Sequence, residues 1–313
     1  MLLNVKRKKE LSWTERIVRY STILILVYYS ALSGQNLVKF ESVIPSPQYY
    51  KTETGEFSIT RGTSLIHSVE SATAVDFLND HLVASAGFKL YENPVNDGTL
   101  IEFVTEKSVR PGNREAYSLT ISKTKIRIEA SDPEGFFYAV TTLLQLLPAE
   151  IISKKRFAEN SFFIRCGSIK DAPKYEWRSF MLDSGRQFQT VNFVKRYLDY
   201  LAMMKINISH WHLTEGQGWR IEIKKYPRLT EVGSKVAGGD EQLGYYTQAD
   251  ISEVVEYAKK LFITVVPEID VPGHSEAALI AYPELTCTGK KPESVMEFSA
   301  NLFCGGNENT YIF

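Results

Sequence analysis

From Lys174 to Phe313 the sequence alternates strand with helix, and each strand closes on polar side chains. WRSFMLDSGR predicts a strand that runs out into a loop. TVNFVKRYLDYLAMMK predicts an amphipathic helix with Val194, Tyr197, Leu198 and Leu201 on one stripe. INISHWHL predicts the next strand. TQADISEVVEYAKKLF predicts a second helix, opened by Thr247 with Asp250 three residues later, the reciprocal pairing of a capping box. ITVVPEID predicts a third strand, and SEAALIAY begins a third helix. A chain with this rhythm folds as a (β/α)8 barrel, with its active site at the carboxyl ends of the strands.

The preceding region has a different pattern. From Val43 to about Leu147 it reads as α+β, entered through the proline-stiffened IPSP. YSLTISKTKIRIEA alternates apolar and polar positions on both sides of Ser122-Lys123-Thr124, which predicts a hairpin. Asp132 and Pro133 supply an N-cap and an N1 proline for a helix with Phe136, Ala139, Val140, Leu143 and Leu147 on one face, stopped by Pro148. An earlier helix, near Ala72 to Ala86, ends at Gly87. No catalytic constellation is legible there.

Residues 1–34 read as an export leader outside the fold. Lys6-Arg7-Lys8-Lys9, with Arg16 and Arg19, precedes the uncharged STILILVYYSAL, which is shorter than the about 20 residues of a membrane span. The small residues of ALS before Gly34 favour a cleaved signal peptide, with a signal anchor as the alternative and the sole route to membrane attachment. Export makes the cysteines interpretable. Cys287 and Cys304 flank one loop-like segment, so a disulfide between them closes a short ring that stabilises by about 3 kcal/mol. Cys166 then remains as a buried free thiol; a cytosolic chain would keep all three reduced. With 36 basic against 37 acidic side chains, the charge balance points to no nucleic-acid or membrane-surface partner.

Four polar groups lie at the predicted strand ends: Asp183 to Arg186, His210 to Glu215, Glu268 to Asp270, and His274. Taken singly, each has a bland reading. Arg186 serves as a surface cap, His210 and His212 as satisfied core histidines, and Asp270 as a turn residue before Val271-Pro272-Gly273. At three successive strand ends they converge on one barrel mouth, and the functional reading prevails. The His-x-His pair, with His274 and Asp270 nearby, raises a metal-dependent hydrolase as one alternative. Against it, such barrels place the pair on the first strand, whereas here it closes the second.

RSFMLDSGRQF, KINISHWHLTEGQGWRIEIKKYPRLTEVG, YYTQADISEVVEYAKKLFITVVPEIDVPGH and AYPELTCTG…NLFCGGNE together resemble successive signatures of glycoside hydrolase family 20, the β-N-acetylhexosaminidases. The resemblance runs from Trp177 to Phe313, and the region before it resembles that family's small N-terminal domain. It implies removal of terminal β-linked N-acetylglucosamine or N-acetylgalactosamine by substrate-assisted retaining catalysis. In that mechanism the sugar's own acetamido oxygen attacks the anomeric carbon, an Asp orients the acetamido group, and the adjacent Glu acts as acid and then base. No metal or other cofactor is implied.

Residue by residue, Arg186 matches the arginine that grips hydroxyls on the terminal sugar, and its planar fork suits two neighbouring hydroxyls. Asp270 matches a pocket carboxylate, and His274 a histidine behind the general acid. Glu215 stands where the family has the first Asp of an acidic pair, the acid that holds this histidine. Gly216 replaces the second. A carboxylate one methylene further out predicts a weakened relay. The family's catalytic pair lies in a His-x-Gly-Gly-Asp-Glu motif at the fourth barrel strand, and this sequence contains no such motif.

The expected fold class is therefore α/β: a small α+β domain over 41–172, then a truncated (β/α)8 TIM barrel of about three βα units over 174–313. The expected function is β-N-acetylhexosaminidase, exported, with a glycan ending in N-acetylglucosamine or N-acetylgalactosamine as partner. The chain as written is expected to be inactive. A non-catalytic carbohydrate-binding relative is the other alternative, and Gly216 favours it.

Overall fold

The computed structural model describes residues 37–92, 97–109, 112–156, 161–236, 243–293 and 302–313. The expected leader lies outside the described residues. Among those described, no helix is long and apolar enough to cross a membrane.

The first half is built on one sheet. Strands β1 (Tyr49–Thr60), β2 (Ser64–Ile66), β3 (Leu100–Thr105), β4 (Tyr117–Ile121), β5 (Lys125–Ala130) and β6 (Ser161–Asp171) lie in the order β1-β6-β4-β5-β3-β2. The predicted hairpin is β4–β5, closed where Ser122 N donates to Lys125 O at 2.8 Å. Periodicity missed β6, although β6 pairs antiparallel with both β1 and β4 and so ties the sheet together. Helix α1 (Ala72–Ala86) ends at Gly87, whose φ of 73° is the left-handed conformation glycine adopts without a Cβ penalty. Helix α2 (Pro133–Gln145) packs beside α1 and against β4 and β5.

Helix α2 departs from its one-faced reading. Every residue from Gly135 to Leu144 is buried, including those opposite the predicted stripe. The reason is tertiary: the face away from the sheet meets the barrel segment instead of water. Phe137 lies 4.8 Å from Phe77 of α1 and 5.2 Å, centroid to centroid, from Phe262. Asp132 occupies the N-cap position, yet its side chain makes no cap hydrogen bond. It accepts from Ser131 Oγ at 2.7 Å and lies 3.3 Å from Arg114 Nε.

In the second half, β7 (Ser179–Asp183), β8 (Ile208–His212) and, after two short arms, β11 (Thr264–Glu268) form a parallel sheet in the order β11-β8-β7. The arms β9 (Thr214–Glu215) and β10 (Gly218–Trp219) make a small antiparallel hairpin around Gly216-Gln217. Helices α3 (Val191–Met203), α4 (Gln248–Lys260) and α5 (Glu276–Ala281) follow the three strands. Thr247 and Asp250 form the expected capping box, the Thr hydroxyl accepting from Asp250 N at 3.1 Å and the carboxylate from Thr247 N at 2.8 Å. This is the strand–helix order of a TIM-barrel catalytic domain.

Strand alternation sorts the side chains. Leu182, Trp211 and Val265 pack into the core beneath the helices. Asp183, His212 and Glu268 stand in register across the sheet, so their neighbours at the strand ends meet at one place. A single apolar cluster runs from the six-stranded sheet through α2 into α3, α4 and the barrel strands. Around it lie largely shielded ionic contacts. Lys205 Nζ lies 2.9 Å from Asp171 Oδ2 and donates to Tyr117 Oη at 2.8 Å; Arg178 Nη2 lies 2.7 Å from Glu115 Oε2.

Candidate functional site

The loop after β7 carries Arg186 and is held close to the end of β8. Ser184 N and Gly185 N both donate to His212 O, at 3.0 and 3.1 Å. A Cβ on Gly185 would stand 2.9 Å from the Cβ of Glu215, so only glycine lets the loop approach this closely. Arg186 N donates to Asp183 Oδ1 at 2.9 Å, and its Nη1 lies 2.5 Å from Asp183 Oδ2. Its Nη2 pairs with Glu215 Oε1. The hydrogen bond that Arg186 donates to Asp183, with the Glu215 charge added, holds its guanidinium above the ordinary value.

Glu215 is the centre of the arrangement. Only 4% of its side chain is exposed, and it meets Arg186 on one side and His274 on the other. His274 Nδ1 lies 2.6 and 2.9 Å from the two carboxylate oxygens, and Gly216 N donates to Glu215 Oε2 at 2.7 Å. The extra methylene was expected to displace this contact. Instead, the β9–β10 hairpin seats the longer side chain so that its carboxylate reaches the ring. His274 has a φ of 51°, a left-handed conformation that histidine adopts more readily than most residues with a Cβ. Ser275 Oγ secures the turn before it, donating to Gly273 O at 2.6 Å.

Asp270 lies near this chain of contacts. Its N donates to Thr214 Oγ1 at 3.0 Å. Burial and then the Glu268 charge push its carboxyl above the ordinary value. Burial acts on Glu268 in the same direction, but the hydrogen bond and charge of His212, with His210 behind, outweigh it and hold Glu268 low. Glu268 Oε2 lies 2.5 Å from His210 Nε2 and 2.9 Å from His212 Nδ1. The His-x-His pair therefore shares one face, as strand geometry requires, and spends it on a carboxylate. Among the described residues, His212, Glu268 and Asp270 bring ligand-type atoms within 4.8 Å of one another. His274, the other member of the metal alternative, is turned to Glu215.

A disulfide joins Cys287 and Cys304, with Cα atoms 4.8 Å apart, and Cys166 is a buried free thiol. Next to the bridge, Phe303 N donates to Pro272 O at 3.1 Å, so the bridged segment backs the turn that presents His274. Two buried residues escaped the sequence reading. Glu276, at the start of α5, is pushed up chiefly by burial, with the Glu215 charge adding to it. Arg220 is wholly buried, and four backbone carbonyls accept from it. The only available signal was an arginine set in the apolar context of GWRIEI, and sequence cannot show which carbonyls surround it.

Comparison with known proteins accounts for this arrangement. Residues 175–313 match the profile described as "Glycosyl hydrolase family 20, catalytic domain", and residues 41–172 match "Glycosyl hydrolase family 20, domain 2". A beta-hexosaminidase of Porphyromonas gingivalis is 40% identical over 87% of this chain and 36% of its own length. The structure of a GH20 beta-N-acetylhexosaminidase from Streptomyces coelicolor superposes with a TM-score of 0.80 at 35% identity, covering 89% of this chain and 56% of that one. A mutant beta-hexosaminidase of Streptomyces plicatus, solved with the product GlcNAc, gives 0.79 at 35% identity, covering 90% and 56%. The chain thus spans between about a third and three fifths of these relatives. With both halves matched in order and the strand-end residues assembled at one mouth, the chain belongs to glycoside hydrolase family 20.

Proposed function

We propose that the whole protein to which this chain belongs is an exported β-N-acetylhexosaminidase that releases terminal N-acetylhexosamine from β-linked glycans. The observation that carries the reading is the unbroken chain Arg186–Glu215–His274, with the carboxylate buried between the guanidinium on one side and the imidazole on the other. Its parts divide the work. Arg186 offers a rigid fork of donors to the sugar hydroxyls. Glu215 fixes which nitrogen of His274 faces it, and so fixes the tautomer the ring presents to a general acid. Asp270, its carboxyl pushed above the ordinary value by burial and then by Glu268, stands beside this chain as the pocket carboxylate. The relative solved with GlcNAc supports the substrate class.

The relay positions and tunes an acid; it does not replace one. The acetamido-orienting Asp and the proton-donating Glu of the family motif have no counterpart in this sequence. The chain as written binds sugar weakly and does not turn it over.

The test measures two quantities on residues 1–313: release from an aryl N-acetyl-β-glucosaminide, and binding of N-acetylglucosamine. The expected result is no turnover and weak binding that Arg186→Lys abolishes, since each charge-assisted hydrogen bond lost costs about 1.5–3 kcal/mol. Turnover near that of an intact family member would show that the catalytic acid is misplaced. Equal binding by Arg186→Lys would remove Arg186 from the site.

A further inference from the structure

Arg220 belongs to the arm after β10, and its backbone is fixed at the end of β8. Its N donates to Leu213 O at 2.9 Å, and its O accepts from Tyr246 N at 2.7 Å. The side chain leaves this anchor and crosses to the neighbouring strand end. Nε donates to Ser184 O at 3.0 Å and to Gly185 O at 3.3 Å. Nη1 donates to Ser234 O at 2.8 Å and to Gly244 O at 3.1 Å. One fully buried guanidinium therefore gathers carbonyls from three places in the chain, at 184–185, 234 and 244.

Burying a cation is unfavourable unless its surroundings repay the lost hydration. A planar guanidinium is suited to this place because its donors are fixed in one plane, whereas an ammonium offers a single point of charge. What it holds is informative. Ser184 and Gly185 immediately precede Arg186, and the same two residues give their N–H groups to His212 O. This peptide segment is thus gripped by β8 through its amides and by Arg220 through its carbonyls. Gly218 makes room for the grip: a Cβ there would lie 2.2 Å from Arg220 Cζ.

We propose that Arg220 is a positioning residue for sugar binding, which aims Arg186 by clamping the two peptides before it. This rests on the reading of Arg186 as the sugar-gripping arginine. It adds that the fork is aimed from behind, by a second arginine that no ligand reaches.

The test uses the full chain and two readouts. Amide hydrogen exchange of the segment 183–187 is followed in Arg220→Ala at a temperature where circular dichroism shows it folded. A second variant, Leu198→Ala, removes a buried side chain of α3 outside the site and serves as the comparison for general loss of stability. Arg220→Ala should raise exchange in that segment by about tenfold or more, and millimolar guanidinium should lower it again. Leu198→Ala should not single that segment out, and guanidinium should not change its pattern. N-acetylglucosamine affinity should fall and recover in parallel with exchange in Arg220→Ala. Unchanged exchange at 183–187, or an increase spread evenly over the barrel and indifferent to guanidinium, would overturn the proposal. Where Arg220→Ala does not fold, Gly218→Ala keeps the arginine and displaces its head group, and unaltered exchange there would overturn it equally. If the unsubstituted chain binds no N-acetylglucosamine while exchange behaves as described, the reading of Arg186 fails and the clamp stands.

Discussion

The six-stranded sheet and the barrel strands bury different kinds of side chain. Among the described residues beneath the sheet, the buried polar side chains are hydroxyls, one amide and one histidine; the amide, Asn79, exchanges hydrogen bonds with Leu90 N and O at 2.8 and 3.1 Å. Among the described residues, the buried lysine, arginine and glutamates, namely Lys205, Arg220, Glu215 and Glu276, all come from the barrel half. The barrel half also leaves apolar side chains open on β7, with Phe180 61% exposed and Met181 47%. One region therefore commits its interior to cohesion. The other holds charge out of water, where it is costly to keep and strong in its effects. The contrast assigns the scaffold to the first half and the chemistry to the second.

The most severe test of that division is Phe137→Ala. Its ring is fully buried where α1, α2 and the barrel segment meet, so truncation should cost about 3–5 kcal/mol. Three of the four tryptophans, Trp177, Trp211 and Trp219, lie in the barrel half, so fluorescence reports largely that half while far-ultraviolet circular dichroism reports both. The two denaturation curves should move together to lower denaturant. A shift in dichroism that leaves fluorescence in place would mean that the halves are energetically separate.

A smaller loss, about 3 kcal/mol, is expected for Lys205→Met, which leaves the Asp171 carboxylate buried beside Tyr117 without its cation. Adding Asp171→Leu should restore most of that loss, because the remaining uncompensated charge is then gone as well. A double variant no more stable than the single one would show that the pair is a net source of stability, against the division drawn above.

The smallest effect concerns pH. Asp270 has a raised folded-state value, so its contribution is fully present below its unfolded value, about 3.9, and is lost as pH rises through the folded one. Glu268 is shifted down, so its contribution is present above its unfolded value and lost as pH falls through its folded one. Asp270→Asn should therefore flatten the decline on the rising side and stabilise the neutral chain by less than about 1 kcal/mol. A decline of unchanged slope in urea midpoints measured upward from pH 4 would assign it to another group, such as Glu276.

Much of the barrel half was legible because its signals are local. Thr247 and Asp250 announce their helix within four residues, and the strands β7, β8 and β11 fall where apolar runs end in polar ones. The meeting of the candidate residues was legible for the same reason, since strand ends in a barrel converge whatever their separation in sequence. What escaped was set by tertiary contact. The second buried face of α2 depends on Phe262, more than a hundred residues away, and β6 is an inner strand only because it pairs with β1 on one side and β4 on the other. The reach of Glu215 to His274 depends on where the β9–β10 hairpin sets the carboxylate, and residue type does not encode that. Arg220 is the extreme case, because all four of its described acceptors are backbone carbonyls, which every residue carries.

The apolar cluster shared by both halves has a consequence for how this family can vary. A core with no seam between sheet and barrel gives the two parts no interface at which they could be exchanged as independent modules. A first domain transplanted from another member must bring its own counterpart to Phe137 for the ring of Phe262, and a carboxylate where Asp171 meets Lys205. Substitutions along this junction are therefore tied to one another across the chain. The barrel strands, and with them the strand-end residues, rest in part on a domain that contributes none of those residues.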